Sequence, residues 1–238
     1  MSESKVVQQG ETLILPSSDP AVTVIPGYRR FIVGLDIAQS IDQNAFVIIK
    51  DERIPRWTTY AQELGPRSRV IVRADRIPQM TYVQLAQVTR NLMMDKSIAA
   101  NSFLVVDASG VGRAFCDLLN TRSVQHTRMQ IVGGENETET TERGTTFNNV
   151  SKNLLINSMN SALHTKELLI GDFPMRDELQ RELESFEAEI GKTGRTSIKG
   201  GTAAGHADIA MAAAMAFWMT DHRTVGAVVG EHALKGYW

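Results

Sequence analysis

Two stretches of this chain, Phe31-Ile-Val-Gly-Leu-Asp36 and Phe103-Leu-Val-Val-Asp107, are unbroken apolar runs that stop at an aspartate. A strand with one wet face alternates apolar and polar residues, so the second run, fully apolar, belongs to a strand covered on both faces. The rest of the pattern supplies the cover. Ala45-Phe-Val-Ile-Ile49 follows the first run after the polar turn Gln39 to Asn44, which predicts an antiparallel hairpin, and Arg69-Val-Ile-Val-Arg73 reads as a third strand. Tyr82, Leu85, Ala86, Val88, Leu92 and Met93 recur at helical spacing, and Gly110-Val-Gly112 turns the chain after Asp107 into a helix through Leu119. Met129-Gln-Ile-Val132 is a further strand, and Gly133 to Thr146 is expected to be a mobile polar loop. Helical periodicity returns over Val150 to Leu163 and Asp177 to Ile190, a hairpin is expected between Ile190 and His206, and an alanine-dominated helix spans Asp208 to Met219. Three antiparallel strands followed by a β-α-β step predict an α/β fold, a mixed sheet with helices on both faces. Residues 1–27 lack a sustained period and are expected to be a tail or linker, residues 28–222 the domain, and residues 223–238 a C-terminal tail.

The 238 residues suffice for one sizeable core, and 42% hydrophobic with 22% charged residues excludes the composition of a disordered chain. Neither a leader-like N-terminus nor a run of about eighteen apolar residues occurs, so a soluble, cytoplasmic protein with no membrane partner is expected. The single cysteine, Cys116, lies in an apolar helical stretch and reads as a small buried hydrophobe. A net charge of −2 gives no general basic footprint for nucleic acid, but the charges are unevenly spread. Lys50 to Arg76 holds seven basic residues against four acidic, whereas Asp172 to Glu189 holds seven acidic against two basic. Such asymmetry suits one DNA face and one solvent or partner face, and equally suits two solvated surfaces.

Asp36, Asp107 and Asp208 each end or begin a predicted element, at the sheet edge where open α/β sheets bind ligands. Each alone is also a turn former or helix cap. Carboxylates brought together repel unless a cation lies between them, and a hard divalent ion such as Mg²⁺ or Mn²⁺ prefers oxygen ligands. Asp42 in the first hairpin turn is either a further carboxylate or a turn residue, and His206 a metal ligand, a phosphate contact or a structural donor. Two lookalikes fail. Gly191-Lys-Thr193 has Phe186 where a phosphate-binding loop needs its first glycine, and Gly110-Val-Gly112 has Phe115 where a dinucleotide fingerprint needs its third. No ATPase motif is visible.

The order of segments resembles the nuclease domain of phage terminase large subunits, within the RNase H-like superfamily. It is carried over about residues 29–222 by the Gly34-Leu-Asp36 strand, Arg73-Ala-Asp-Arg-Ile-Pro78 leading to Tyr82, Val106-Asp-Ala-Ser-Gly-Val-Gly112, a helix bearing Lys152, Thr193-Gly194, and Gly205-His-Ala-Asp208 before an Ala-rich helix. The resemblance implies an RNase H-like fold, two divalent metal ions (Mg²⁺ or Mn²⁺) held by Asp36, Asp107 and Asp208, and endonucleolytic cleavage of double-stranded DNA during viral genome packaging. It implies as partners an ATPase motor, a small terminase subunit and the portal or procapsid. Lys152 would contact a phosphate or orient the attacking water, unless it is simply solvated. Arg53, Arg56, Arg73, Lys192, Arg195 and Lys199 would hold the DNA backbone. Where relatives often show His-Asp-Asp, this chain has His206-Ala207-Asp208, which leaves one carboxylate fewer. A Holliday junction resolvase and a non-catalytic docking module of the packaging machine are the alternatives.

Overall fold

The computed structural model describes residues 5–37, 43–190, 196–199 and 207–224. A hairpin of β1 (Val7–Gln9) and β2 (Thr12–Ile14) precedes the long strands β3 (Gly27–Asp36), β4 (Asn44–Trp57) and β5 (Gln62–Ile77). Helix α1 (Tyr82–Met93), strand β6 (Ser102–Asp107), helix α2 (Gly112–Thr121) and strand β7 (Thr127–Val132) follow. The second half contains β8 (Glu137–Glu142), β9 (Thr145–Ser151), α3 (Lys152–His164), β10 (Leu168–Ile170), α4 (Arg176–Glu184), β11 (Glu187–Ile190), β12 (Thr196–Lys199) and α5 (Asp208–His222).

The main sheet runs β10-β5-β4-β3-β6-β7-β9-β8, with β2 added to β3. β4 is antiparallel to both β3 and β5, and β3, β6 and β7 are parallel, as the sequence pattern predicts; β9, which the pattern does not predict, adds parallel to β7. Along β3, Ile32 and Val33 are both fully buried yet join different clusters. Val33, Leu35, Leu104 and Val106 pack with Leu85, Phe115 and Leu119 of α1 and α2, while Ile32 and Val105 pack with Leu155 of α3, Leu179 of α4 and the length of α5. Double coverage explains why these strands lack alternation. Cys116 belongs to the first cluster, where burial pushes its thiol up to about 12, which makes it inert packing.

Three expectations need correction, and one strand was not expected. Residues 7–15 are not a tail. β2 pairs with the start of β3, beside the stretch that β6 does not reach, and Leu13 and Leu15 are buried. The mobile loop expected over Gly133 to Thr146 is instead the β8–β9 hairpin, turned by Arg143 and Gly144 at φ 50° and 79°. Every residue of β8 is exposed, so no apolar period announces it. The helix expected over Asp177 to Ile190 stops at Glu184, and Glu187 to Ile190 becomes β11, paired antiparallel with β12. Finally, β10 adds parallel to β5 at the sheet edge with only three residues, too few for a periodic signal. Among the described residues no helix is long and apolar enough to cross a membrane.

Candidate active site

Strand register places a row of side chains on the α5 face of the sheet. Asp36 pairs with Ala45 of β4, which pairs with Arg76 of β5; in parallel register Asp36 lies beside Asp107, one residue past the Leu35–Val106 pair. Paired residues point to the same face, so Arg76, Ala45, Asp36 and Asp107 form one line across four strands. Adjacent strands are about 4.8 Å apart, which sets the separation of the two aspartate backbones. Ala45 between Asp36 and Arg76 is too small to screen them.

Helix α5 is laid antiparallel over β3 and delivers Asp208 to this line. Arg30 donates Nη2–H to the Thr220 carbonyl oxygen near the helix C-terminus, and a Cβ on Gly34 would fall 2.0 Å from the Ala212 carbonyl oxygen. Eight helical residues rise about 12 Å, which four strand residues match at about 13 Å. Continued by one helical turn and two strand residues, the same alignment carries Ala212 to Asp208 and Gly34 to Asp36. Glycine at 34 and alanine along α5 are what allow helix and sheet to approach so closely.

The electrostatics reflect crowding. Burial first, then the charges of Asp107 and Asp208, with Glu182 adding, drive Asp36 well above the usual carboxylate range, against the hydrogen bond from the Ile37 N–H. Burial also raises Asp107, opposed by hydrogen bonds from Ser109. Asp107 Oδ1 accepts the Ser109 N–H at 2.8 Å, a turn-forming contact, and the Ser109 hydroxyl in turn accepts the Ile131 N–H at 3.0 Å. Gly112 completes this turn, since a Cβ there would meet the Asp107 carbonyl oxygen at 1.9 Å. Asp107 therefore plays both roles the sequence allowed, turn former and member of the acidic group.

Three further residues join the group, none of them singled out by the sequence pattern. Arg76 donates Nη1–H to Asp208 Oδ2 at 3.0 Å, Nε–H to Glu178 Oε1 at 2.7 Å, and Nη2–H to Glu182 Oε1. Glu182 is completely buried, and its Oε2 accepts the Ala210 N–H at 2.8 Å, capping α5 from a neighbouring helix because Ala207 at the N-cap has no side-chain acceptor. Burial pushes Glu182 up to about 7, although the Ala210 hydrogen bond and Arg76 pull it down. The acidic segment Asp172 to Glu189 is thus not only a solvated or partner face. One signal was available: Glu182 falls three residues after Leu179, on the apolar side of α4.

The remaining candidates scatter. Lys152 opens α3 at the same sheet edge, its ammonium 5.6 Å above the Phe186 ring. Arg73, three residues from Arg76 and hence on the other face, stacks over Phe46 and pairs with Asp75. Arg53 pairs in register with Tyr28, eight residues of β4 from Ala45, so about 26 Å from the acidic row. It donates to the Gly65 carbonyl oxygen, and Arg56, farther out, pairs with Glu63. Arg53, Arg56 and Arg73, expected to hold the DNA backbone, therefore lie away from the acidic row or on the opposite face of the sheet. Asp42, Lys192, Arg195 and His206 lie outside the described residues, as does the side chain of Lys199 on β12.

No protein-family description matches the chain, and no curated protein is similar to it in sequence. Solved structures are similar in shape. The large terminase nuclease from thermophilic phage G20c superposes with a TM-score of 0.55 at 16% identity, covering 90% of both chains. The chain has the fold of a large-terminase nuclease. The nuclease domain from Thermus phage P74-26 gives 0.54 at 15% identity over 88% of this chain and 85% of that one. Two further structures of the G20c nuclease, with bound magnesium and with bound cobalt, give 0.55 and 0.54.

A hard divalent cation fits the donor set of this terminase-nuclease fold: among the described residues the facing acids offer carboxylate oxygens, and the charges of Asp107 and Asp208 raise Asp36. Among the described residues, no three His, Cys, Asp or Glu side chains already converge as the ligands of one ion. Asp208 is turned toward Arg76 instead.

Proposed function

We propose that this chain is a metal-dependent endonuclease that cuts double-stranded DNA during viral genome packaging. The observation that carries the reading is the meeting of Asp36 and Asp107 on adjacent parallel strand ends with Asp208 on the first turn of α5, on one face of a terminase-nuclease fold. Asp36, at the centre of the row, would be shared by two ions, with Asp107 and Asp208 completing one coordination shell each. The ions, Mg²⁺ or Mn²⁺, would supply a water of lowered pKa and stabilise the leaving 3′-oxygen. The chain's own work is positioning. The Ser109 N–H fixes one oxygen of Asp107, and Glu182 pins the first turn of α5 and hence Asp208. Lys152 at the same edge is a candidate for a phosphate contact. The resemblance to packaging nucleases extends the proposal to an ATPase motor, a small terminase subunit and a portal as partners, and to host cytoplasm as the place of action.

Plasmid DNA incubated with excess protein and Mn²⁺ or Mg²⁺ is expected to be nicked and linearised, and EDTA to prevent it. Asp107→Ala should lower cutting by about 100-fold or more, since losing even an outer-shell partner of a metal costs 10–100-fold. Undiminished cutting by that variant would sink the reading. The pairing of Asp208 with Arg76 favours one other reading, a docking module with no catalysis. Calorimetry separates the two, because such a module would take up no Mn²⁺.

A further inference from the structure

Arg76 is bound to three different carboxylates at once. Nη1 donates to Asp208, Nε to Glu178 and Nη2 to Glu182, so each nitrogen of the guanidinium serves a separate acid. Guanidinium usually meets a single carboxylate with two parallel bonds. Here the fork is spread across three, two on α4 and one on α5, and it reaches them from a strand two places away from Asp36. Among the described residues no arginine or lysine pairs with Asp36 or Asp107. Among the described residues Arg76 is thus the cation paired within the acidic group, placed at its side, and it holds the one aspartate that must turn inward to complete a metal shell.

We infer that Arg76 is the resident cation of the acidic site, a positioning residue that keeps Asp208 in place when no metal is bound and from which Asp208 must be exchanged before a divalent ion can be held by all three aspartates. The inference rests on the proposed metal-dependent reading. Its physical basis is competition. An ion that takes Asp208 Oδ2 as a ligand must displace the Nη1–H now 3.0 Å from that oxygen, and a divalent charge close to a guanidinium repels it. Arg76 keeps Glu178 and Glu182 after the exchange, so it need not leave the site, and Glu182 goes on capping α5 through Ala210. Apparent metal affinity is lowered by the fraction of molecules in which Arg76 still holds Asp208.

The test is Mn²⁺ titration calorimetry on the full chain with Arg76→Gln and Arg76→Lys beside wild type, together with thermal unfolding in EDTA. Arg76→Gln is expected to bind Mn²⁺ about tenfold tighter, the scale of outer-shell changes at metal sites, while unfolding at a lower temperature without metal. Arg76→Lys, which carries the charge without the fork, should fall between. A merely structural role predicts the lower unfolding temperature but no gain in affinity. Wild type that binds Mn²⁺ and Arg76→Gln that binds no more tightly would overturn the role of Arg76 and leave the nuclease reading standing. Failure of both to bind would overturn the metal-dependent reading and this inference with it. Should Arg76→Gln not fold, a crystal of wild type soaked in Mn²⁺ decides. Asp208 Oδ2 released from Nη1 and turned to the ion supports the exchange; an intact pair beside a bound ion refutes it.

Discussion

The two ends of α5 meet the same sheet with opposite charge balance. At the C-terminal end, Arg30, Arg67 and Arg69 face Asp51, Asp221 and Glu167, and the arginines also bind the Thr220 and Arg223 carbonyl oxygens that close the helix. Both oxygens of buried Asp51 are taken, by Arg30 and Arg67. Burial pulls the Arg67 guanidinium down, but the Asp51 hydrogen bonds and charge more than offset it, so its pKa rises. At the N-terminal end Arg76 is, among the described residues, the arginine that pairs with Glu178, Glu182 and Asp208, with Asp36 and Asp107 alongside. Among the described residues, arginines and acids match at the first end, while acids outnumber arginines at the second. The balanced end holds the helix on the sheet, and the unbalanced end is where an added cation has work to do.

The largest effect that can break this contrast comes from the balanced end. Arg30→Met leaves Asp51 buried without its most buried partner, with only Arg67 and Tyr28 remaining, and removing one member of a buried pair costs about 3–5 kcal/mol. Thermal unfolding should show a loss of roughly 10 °C, at 2–4 °C per kcal/mol for a chain of this size, with Mn²⁺ uptake preserved while the protein is folded. Next is Gly34→Ala, which forces apart the surfaces of α5 and β3. Overpacking of this kind costs about 1–3 kcal/mol, and because it lifts Asp208 from Asp36, Mn²⁺ affinity should fall as well. A stability loss without that weakening would show that the helix position does not set the site.

The unbalanced end should respond in the other sense. Asp36→Asn removes a repelling charge without changing shape, so in EDTA the variant is expected to unfold at a higher temperature than wild type. The gain should be about 1 kcal/mol, the scale of two like charges 4 Å apart even in water. Scanning calorimetry that finds the variant less stable would contradict the picture of uncompensated repulsion. The pH dependence follows from the same groups. Asp36, Asp107 and Glu182 all have folded values raised above their ordinary ones, so the folded state binds protons more tightly than the unfolded chain. Their contribution is full below the ordinary carboxylate range and is lost as pH rises through the folded values, for Glu182 up to about 7. Metal-free protein should therefore lose stability between about pH 4.5 and 7, with a shallower slope in Asp36→Asn and a reversal on adding Mn²⁺. A flat profile would argue against it.

Much of this was legible in the chain itself. The unalternating runs ending at Asp36 and Asp107 and the alanine-rich stretch after Asp208 encode central strands and a helix that lies against them, because coverage on both faces removes polar residues locally. Strand ends and helix starts are local events, so the placement of Asp36, Asp107 and Asp208 at element ends was legible without coordinates. Short or fully exposed elements such as β8 and β10 carry no such period and were missed.

Tertiary structure alone decided which charges belong together. Arg73 and Arg76 look alike in a basic run, yet a strand period of two sends them to opposite faces, and Arg53 ends at the far end of β4. Arg76 finds Glu178 and Asp208 across 102 and 132 residues, and Glu182 leaves an acidic surface segment to be buried as the cap of α5. Local pattern fixes which face of an element is apolar. Partnership between charges depends on register and on which helix crosses which strand, and those are properties of the assembled sheet.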